Sequence, residues 1–210
     1  MKKQLGILAC LIVMTSTITI AEGWKLGITA IPQATWFSTQ DKVATGDGFE
    51  PGLGFGLWAG KYFNERYAFD MGLIITSRTG GSLKYANQSF IFTNEYTDTV
   101  SAGSSVQYKL QYLEIPLGLK LTTNRIGYVK VYSHLGLIPQ ILTGARATSS
   151  DNSLDNSKLM DTPFKGEVYL GNISYYIGAG IEYSLGGSTA ITMALLFKHG
   201  FIDVTTNKAG

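Results

Sequence analysis

The chain has 210 residues, a length that suits a single domain. Its 25 glycines, 12 tyrosines and 10 phenylalanines, with only 15% charged residues, are typical of a strand-and-turn protein rather than a helical one. The formal net charge is +2, and without Lys2 and Lys3 the basic residues would equal the 15 acidic ones. This balance argues against nucleic acid as a partner and against a polybasic membrane patch.

The first 21 residues have the layout of an export signal. Lys2 and Lys3 form a positive region, residues 5–14 are apolar, and residues 15–21 are small or β-branched and end in a Thr-Ile-Ala cleavage site. We therefore predict a signal peptide over residues 1–21 and a mature domain over residues 22–210. The alternative is an uncleaved anchor helix, but the apolar stretch is short against the roughly 20 residues of a bilayer span.

Seven later segments alternate apolar with other residues, which is the period of a β-strand. The clearest is YLEIPLGLKL, residues 112–121, where Leu or Ile fills every odd position. The apolar members of the seven segments, in chain order, are Trp24, Leu26, Ile28 and Ala30; Leu53, Phe55, Leu57, Ala59 and Phe63; Phe69, Met71, Leu73 and Ile75; Leu113, Ile115, Leu117, Leu119 and Leu121; Val129, Val131, Leu135 and Leu137; Ile173, Tyr175, Ile177, Ala179, Ile181 and Tyr183; and Ile191, Met193, Leu195 and Phe197.

The opposite face of these segments is rich in glycine, small residues and tyrosine and carries few charges. In a soluble sandwich or lipocalin-like barrel the aliphatic face points inward and the outer face is densely charged. A glycine-rich face suits a narrow lumen better, with the aliphatic face turned to lipid. We therefore expect a membrane barrel.

The connections alternate between short and long. Three tight turns are predicted at residues 64–66, 123–125 and 186–188, and three long polar links at about residues 38–50, 79–105 and 143–172. Short periplasmic turns and long external loops are the arrangement of outer-membrane barrels. The prediction is an all-β, antiparallel up-and-down transmembrane β-barrel of the eight-stranded type in the bacterial outer membrane, with its N-terminus periplasmic after signal cleavage.

Only seven strands are visible, and an even number is the rule for bacterial single-chain barrels. We therefore expect a C-terminally incomplete chain whose closing strand is missing. The alternative is that part of a long loop, such as residues 89–99, pairs in the wall.

The tight turns also predict the register. Three-residue turns would place Leu57 opposite Leu73, Leu117 opposite Val131, and Ile181 opposite Met193. The same register would place Glu114 opposite His134 on the inner face.

Charged residues on the predicted inner face should pair, because an isolated buried charge is very costly. A side-chain plug is the favoured interpretation, ahead of an ion or small-solute path and of acid–base catalysis, since an eight-stranded lumen is just wide enough for its own side chains. With the histidine expected to face Glu114, the predicted lumen charge network is Asp70, Arg78, Glu114, Lys120, Lys130, His134, Glu182 and Lys198.

The sequence offers no other chemistry. No nucleophile, histidine and acid spacing is recognisable, His134 and His199 are weak grounds for zinc, and Cys10 falls within the predicted signal. We expect no catalytic residues, no metal and no cofactor, so the protein is predicted not to be an enzyme. Aromatic residues are expected at the two membrane interfaces, where amphipathic rings are favoured: Trp24, Trp36, Phe63, Tyr67, Tyr183 and Phe197.

The stretches YLEIPLGLKL at residues 112–121, GLIITSRTGG at residues 72–81, and IGAGIEYSLGG at residues 177–187 followed by KHGFIDV resemble the PorT-like outer-membrane β-barrel family of Gram-negative bacteria. The resemblance covers most of the mature chain and implies an eight-stranded barrel, with one branch of the family linked to assembly of a secretion system.

The expected function is a non-enzymatic barrel with a filled lumen, acting through external loops or as an envelope or secretion-associated component. The alternative is a small-solute conduit or lumen-binding barrel. Expected partners are outer-membrane lipid and envelope or secretion-system proteins. In the loop at residues 79–105, a projecting hairpin would hold a partner, whereas a simple extension of the wall would not.

Overall fold

The computed structural model describes residues 6–21, 23–38, 44–86, 89–92, 97–100, 102–149 and 170–201. Much of the predicted long links, and residues 202–210 near the expected chain break, lie outside these ranges. No helix among the described residues is long and apolar enough to cross a membrane. The strands are β1 (Gly6–Ala21), β2 (Trp24–Ser38), β3 (Ala44–Gly46), β4 (Phe49–Tyr62), β5 (Tyr67–Tyr85), β6 (Ser89–Phe92), β7 (Thr97–Val100), β8 (Ser105–Glu114), β9 (Leu117–Thr122), β10 (Val129–Ser149), β11 (Gly171–Gly186) and β12 (Thr189–Gly200).

The strands form a closed antiparallel ring. Around it the order is β1, β2, β4, β5, then β8 with β9, then β10, β11, β12 and back to β1. β8 and β9 are two halves of one wall strand, so the ring has eight places. The prediction of an antiparallel up-and-down barrel of the eight-stranded type is confirmed.

The expected gap in the wall is not found. β1 pairs with β12 on one side and with β2 on the other, so residues 6–21 fill the eighth place. Sequence reasoning missed this strand because its apolar run was interpreted as an export signal, and an apolar run can also pair as a buried strand. Cleavage of residues 1–21 on export stays a prediction.

The wall has its aliphatic side outward. Leu57, Ile75 and Leu195 are 62%, 65% and 60% exposed, whereas Glu114 and Lys198 are 2% and 1% exposed. A barrel that buries its charged residues and exposes its leucines has an outer surface suited to lipid rather than to water. The predicted orientation of the two strand faces is therefore confirmed.

Two of the three predicted outward pairs are present. Leu57 lies opposite Leu73, and Ile181 lies opposite Met193. The third is wrong, because Leu117 lies opposite Leu137 rather than Val131.

The same correction applies on the inner face, where Glu114 lies opposite Gln140 and His134 lies opposite Lys120. The turn is longer than predicted, since the segment around Gly127, with φ of 63°, forms a small bridge between Ile126 and Val129. The register shifts by an even number of residues, so aliphatic residues still meet aliphatic residues.

Pro116 interrupts the fourth wall strand between β8 and β9. Proline has no backbone N–H to donate to the neighbouring strand. Its carbonyl oxygen still accepts a hydrogen bond from the Gly72 amide at 3.0 Å. On the other side the Ile115 amide donates to the Pro139 carbonyl at 2.9 Å. The interruption therefore keeps the wall sealed by backbone hydrogen bonds.

The two ends of the barrel differ. We call the end with the turns at residues 63–66, 123–128 and 187–188 the turn rim, and the opposite end the loop rim. At the loop rim β5 and β8 extend the wall as far as the pair Lys84 and Ser105. Beyond them, β6 and β7 form a separate two-stranded hairpin. The loop at residues 79–105 therefore contains both a wall extension and a hairpin.

Candidate functional site

The lumen near the turn rim contains an ion-pair layer centred on Glu182. The Lys25 ammonium lies 2.7 Å from Oε1 of Glu182, and the Lys120 ammonium lies 2.9 Å from Oε2. Three separate strands, β2, β9 and β11, supply these groups because each is at an inward position of its strand. Both carboxylate oxygens are thus paired.

Aromatic rings surround the Lys120 ammonium. Its nitrogen lies 4.1 Å from the ring centroid of Tyr132, 5.5 Å from that of Trp58 and 5.9 Å from that of Tyr62. Ring faces attract a cation, and the attraction is stronger where water is excluded. The lysine is therefore held by a carboxylate and by aromatic faces together.

Asp70 and His134 lie beside this layer. His134 Nε2 is 3.2 Å from Asp70 Oδ2 and 2.9 Å from the Tyr176 hydroxyl. One ring nitrogen makes both contacts, whereas an acid, base and nucleophile set uses both nitrogens of the imidazole. The arrangement is therefore not that of a hydrolytic triad.

A second ion-pair layer lies nearer the middle of the barrel. The Lys198 ammonium is 2.6 Å from Glu114 Oε1, and both side chains are almost completely buried. Gln140 Nε2 also donates to Glu114 at 2.7 Å, and the Ser174 hydroxyl donates to Gln140 Oε1 at 2.8 Å. Charges and amides together satisfy this layer.

Glycines make room for the rings that fill the lumen. A Cβ on Gly118 would collide with the Tyr176 hydroxyl, and a Cβ on Gly180 would lie 2.7 Å from Cζ of Tyr132. At these two positions the glycine-rich face predicted from the sequence provides sockets for tyrosines, Tyr132 on the adjacent strand and Tyr176 two strands away.

At the loop rim the extension formed by β5 and β8 bends inward over the lumen. The last pair of β5 with β4 is Ser77 with Leu53, and beyond it β5 pairs with β3 instead. The Gly80 amide donates to Thr35 Oγ1 at 2.8 Å, and Gln33 Nε2 donates to Thr79 Oγ1 at 2.9 Å. Because β4 separates β2 from β5 in the wall, these contacts mean that β5 lies against the inner face of β2.

Apolar packing reinforces this crossing. Phe37 of β2 meets Tyr108 of β8 edge to face, with ring centroids 5.9 Å apart, and Leu83, Val106 and Leu110 are buried. We call residues 79–83 and 106–110, packed on residues 33–37, the loop-rim cap. The cap packs β5 and β8 against the inner face of β2 at this end of the lumen.

The remaining space between the layers is small. It is a cavity of about 70 Å³ bordered by Thr29, Trp58, Asp70, Ile74 and His134 among others. A cavity of this size can hold water molecules.

The structure places six of the eight predicted lumen residues in or beside the two layers: Asp70, Glu114, Lys120, His134, Glu182 and Lys198. Lys130 is half-buried on β10 opposite Glu182 in the register. Arg78 was expected in the lumen but is exposed, because a bulge between Thr76 and Thr79 gives the inward place to Thr79. No alternation pattern in the sequence could have located that bulge.

Sequence reasoning missed several lumen groups. Lys25 lay on the predicted inner face but was not counted among the charges. Glu50, buried at 3%, accepts a hydrogen bond from Gln107 Nε2, and Gln140 accompanies Glu114. For Lys25 and Gln140 the signal was available, since both occupy inward positions.

The predicted interface aromatics lie toward the ends of wall strands. Phe63, Tyr67, Tyr183 and Phe197 are exposed, and Trp24 and Trp36 are half-buried. Tyr183 lies near Tyr128 at the turn rim, with ring centroids 6.2 Å apart. Within the described residues no group of three or more histidine, cysteine, aspartate or glutamate side chains could hold a metal ion.

A closed antiparallel ring with aliphatic residues outside and paired charges inside defines a transmembrane β-barrel. The chain belongs to the outer membrane protein beta-barrel domain family, whose sequence model matches residues 16–206. This membership assigns the barrel to the bacterial outer membrane.

Among solved structures, the chain is similar to the outer membrane protease OmpT from Escherichia coli. The sequence identity is 8%, the TM-score is 0.35, and the alignment covers 94% of each chain. No curated protein sequence matches the chain.

Proposed function

We propose that this protein is a non-enzymatic outer-membrane barrel whose lumen is filled by its own side chains and which acts through its loop rim. The single observation that carries the proposal is that contacts between non-adjacent strands cross the lumen at three levels. The Glu182 layer, the Glu114 layer and the loop-rim cap each span it.

We also propose that the loop rim faces the outside of the cell and the turn rim the periplasm. Long connections on one side and tight turns on the other support this orientation. Trp24 follows β1 at the turn rim, where the Tyr62 amide donates to the Gly23 carbonyl at 2.6 Å. Cleavage after Ala21 would remove β1 from the ring and leave the new N-terminus at the turn rim, on the periplasmic side.

A PorT-like role in the envelope, with secretion-system proteins as partners, extends this proposal. Its support is the resemblance of residues 112–121 and 177–187 to that family. The absence of enzymatic activity is proposed because the His134 contacts do not form a nucleophile set.

A small-solute conduit, porin-like in outline, is the second candidate. The observation in its favour is the cavity of about 70 Å³ beside the buried carboxylate of Asp70. For conduction the loop-rim cap would have to open, which requires breaking the Phe37 and Tyr108 contact.

Single-channel recording of the full-length protein in planar bilayers separates the two candidates. The filled lumen predicts no steady conductance at moderate voltage. The double variant Gln33→Ala with Thr79→Ala, which lacks one hydrogen bond of the loop-rim cap, should be recorded for comparison. Steady current through the unmodified protein would overturn the filled-lumen proposal and favour the conduit.

A further inference from the structure

Two aromatic side chains are neighbours on the outer face of the wall near the loop rim. Trp36 of β2 lies directly opposite Phe49 of β4 in the register, and Phe49 is 65% exposed. Side chains in this relation have Cβ atoms about 4.5–5.5 Å apart. The next outward pair toward the turn rim is Ala34 with Pro51. Because these two side chains are small, they form a shallow floor beside the two rings.

A groove of about 440 Å³ opens at this place. Its edge toward the loop rim is formed by backbone that carries no side chains. Gly48 has a φ of 107°, a conformation that favours glycine, and a Cβ added to it would meet no atom within 4 Å. A Cβ on Gly46 would collide with the Phe37 carbonyl oxygen, so glycine lets this segment lie against the end of β2. We call the residues that line it the aromatic groove: Ala34, Trp36, Phe37, Gly46, Gly48 and Phe49.

The aromatic groove continues the lipid-facing belt of the barrel. Every outward position of residues 26–36 on β2 and of residues 49–59 on β4 carries an apolar residue. Leu53, Phe55 and Leu57, which follow the groove along β4, are all exposed. A bilayer that covers these residues therefore reaches the groove without meeting a charged side chain.

The position of Trp36 along β2 gives the depth of the groove in the bilayer. The other outward tryptophan of this strand is Trp24 at the turn rim, and the eleven residues 25–35 separate the two. A transmembrane strand spans the hydrocarbon core with about 9–11 residues, and tryptophan is enriched at both interfaces. The groove therefore lies where the hydrocarbon chains of a lipid meet its headgroup.

We propose that the aromatic groove binds one hydrocarbon chain of a membrane lipid, with the upper part of the chain against the Trp36 and Phe49 rings. The rings offer large apolar surfaces, and the small floor lets the chain approach the wall closely enough for dispersion contacts. The lower part of the chain lies on the belt. The proposal depends on the belt lying in a bilayer and not on the filled lumen, so the two proposals can fail separately.

The test is quenching of Trp36 fluorescence by a phosphatidylcholine with brominated chains. Trp24→Phe and Trp58→Phe leave Trp36 as the only tryptophan of the full chain. A steroid-based detergent keeps the protein in solution and has no alkyl chain to compete for the groove. Ala34→Leu fills the floor. Ala30→Leu is the matched control, because both alanines are half-buried at outward positions of β2.

We expect the quenching to saturate at one lipid per chain. Ala34→Leu should weaken binding by about tenfold or more, because its side chain takes the place of roughly two methylene groups of the lipid. Ala30→Leu should bind as the unmodified groove does. Phe49→Ala should also weaken binding, and it adds no atom that could disturb folding.

Three results would overturn the proposal. The first is quenching that rises with added lipid and does not saturate, as for a tryptophan ester dissolved in the same micelles. The second is equal affinity of Ala34→Leu and Ala30→Leu. The third is a dimer in native mass spectrometry that Ala34→Leu dissociates, because a second copy of the chain would then occupy the groove.

Discussion

Replacing Lys198 by methionine should destabilise the barrel strongly. The Lys198 ammonium lies 2.6 Å from Glu114 Oε1, and the two side chains are 1% and 2% exposed. Methionine has nearly the same length but no charge, so the Glu114 carboxylate would remain buried with the Gln140 amide, at 2.7 Å, as its donor among the described residues. Removing one partner of a buried ion pair costs about 3–5 kcal/mol.

Unfolding by urea in lipid vesicles, followed by tryptophan fluorescence, measures this loss. The double variant Glu114→Gln with Lys198→Met removes both charges, and we expect it to be more stable than Lys198→Met alone, because no uncompensated charge is left. Glu65→Gln, in the exposed turn at residues 63–66, is the control and should change the free energy of unfolding by less than about 0.5 kcal/mol. A Lys198→Met effect as small as that of the control would refute the reasoning, since it would mean that water fills the lumen and screens the pair.

Three further predictions concern the wall. Gly118→Ala should lower the free energy of unfolding by about 1–3 kcal/mol, because the added methyl group would overpack against the Tyr176 hydroxyl. Adding Tyr176→Phe to the same chain should recover part of the loss. Unchanged stability of Gly118→Ala in urea unfolding would contradict the close contact between Gly118 and Tyr176. Leu57→Lys in mid-wall should cost about 2–4 kcal/mol in vesicles and Tyr67→Lys near the turn rim about 0–1, so equal costs would argue against a lipid-facing belt. A chain starting at residue 22 should refold less stably than the full chain, because the edges of β2 and β12 lose their pairs with β1 and each unpaired group in hydrocarbon costs several kcal/mol. Heat-modifiable electrophoretic mobility measures that loss, and equal stability would mean that the eighth place is filled without residues 6–21.

Alternation alone predicted which side of each strand faces outward. The outward direction of residues 117, 119 and 121 could be predicted without the structure, because side chains alternate between the two faces of a strand. The lumen ion pairs could be predicted only in part. The cost of burying a charge predicts that Glu114 and Glu182 each pair with a cation, but it does not predict which lysine each one pairs with. Strand tilt and turn length decide that, and the turn at residues 123–128 is longer than the three residues predicted.

Two local features escaped sequence reasoning for different reasons. Arg78 has the parity of an inward residue, but one extra residue in β5 changes its side, and a bulge leaves no mark in a hydrophobicity pattern. Residues 6–21 satisfied the criteria for an export signal, and nothing in those criteria excludes pairing as a strand. In β1, Thr15 is buried and Met14 is exposed, which is the alternation of the other wall strands.

The central claim is that the aliphatic side of every wall strand touches lipid while the other side encloses a filled lumen. Single cysteines at Ile191, Met193 and Leu195, and at Thr192 and Ala194, in a Cys10→Ser background, allow nitroxide labelling along β12 in vesicles. The account predicts high collision rates with oxygen at the first three positions, and low collision rates with both oxygen and a water-soluble nickel complex at the other two. Nickel accessibility at residues 192 and 194 equal to that of an exposed turn residue such as Ser188 would contradict it.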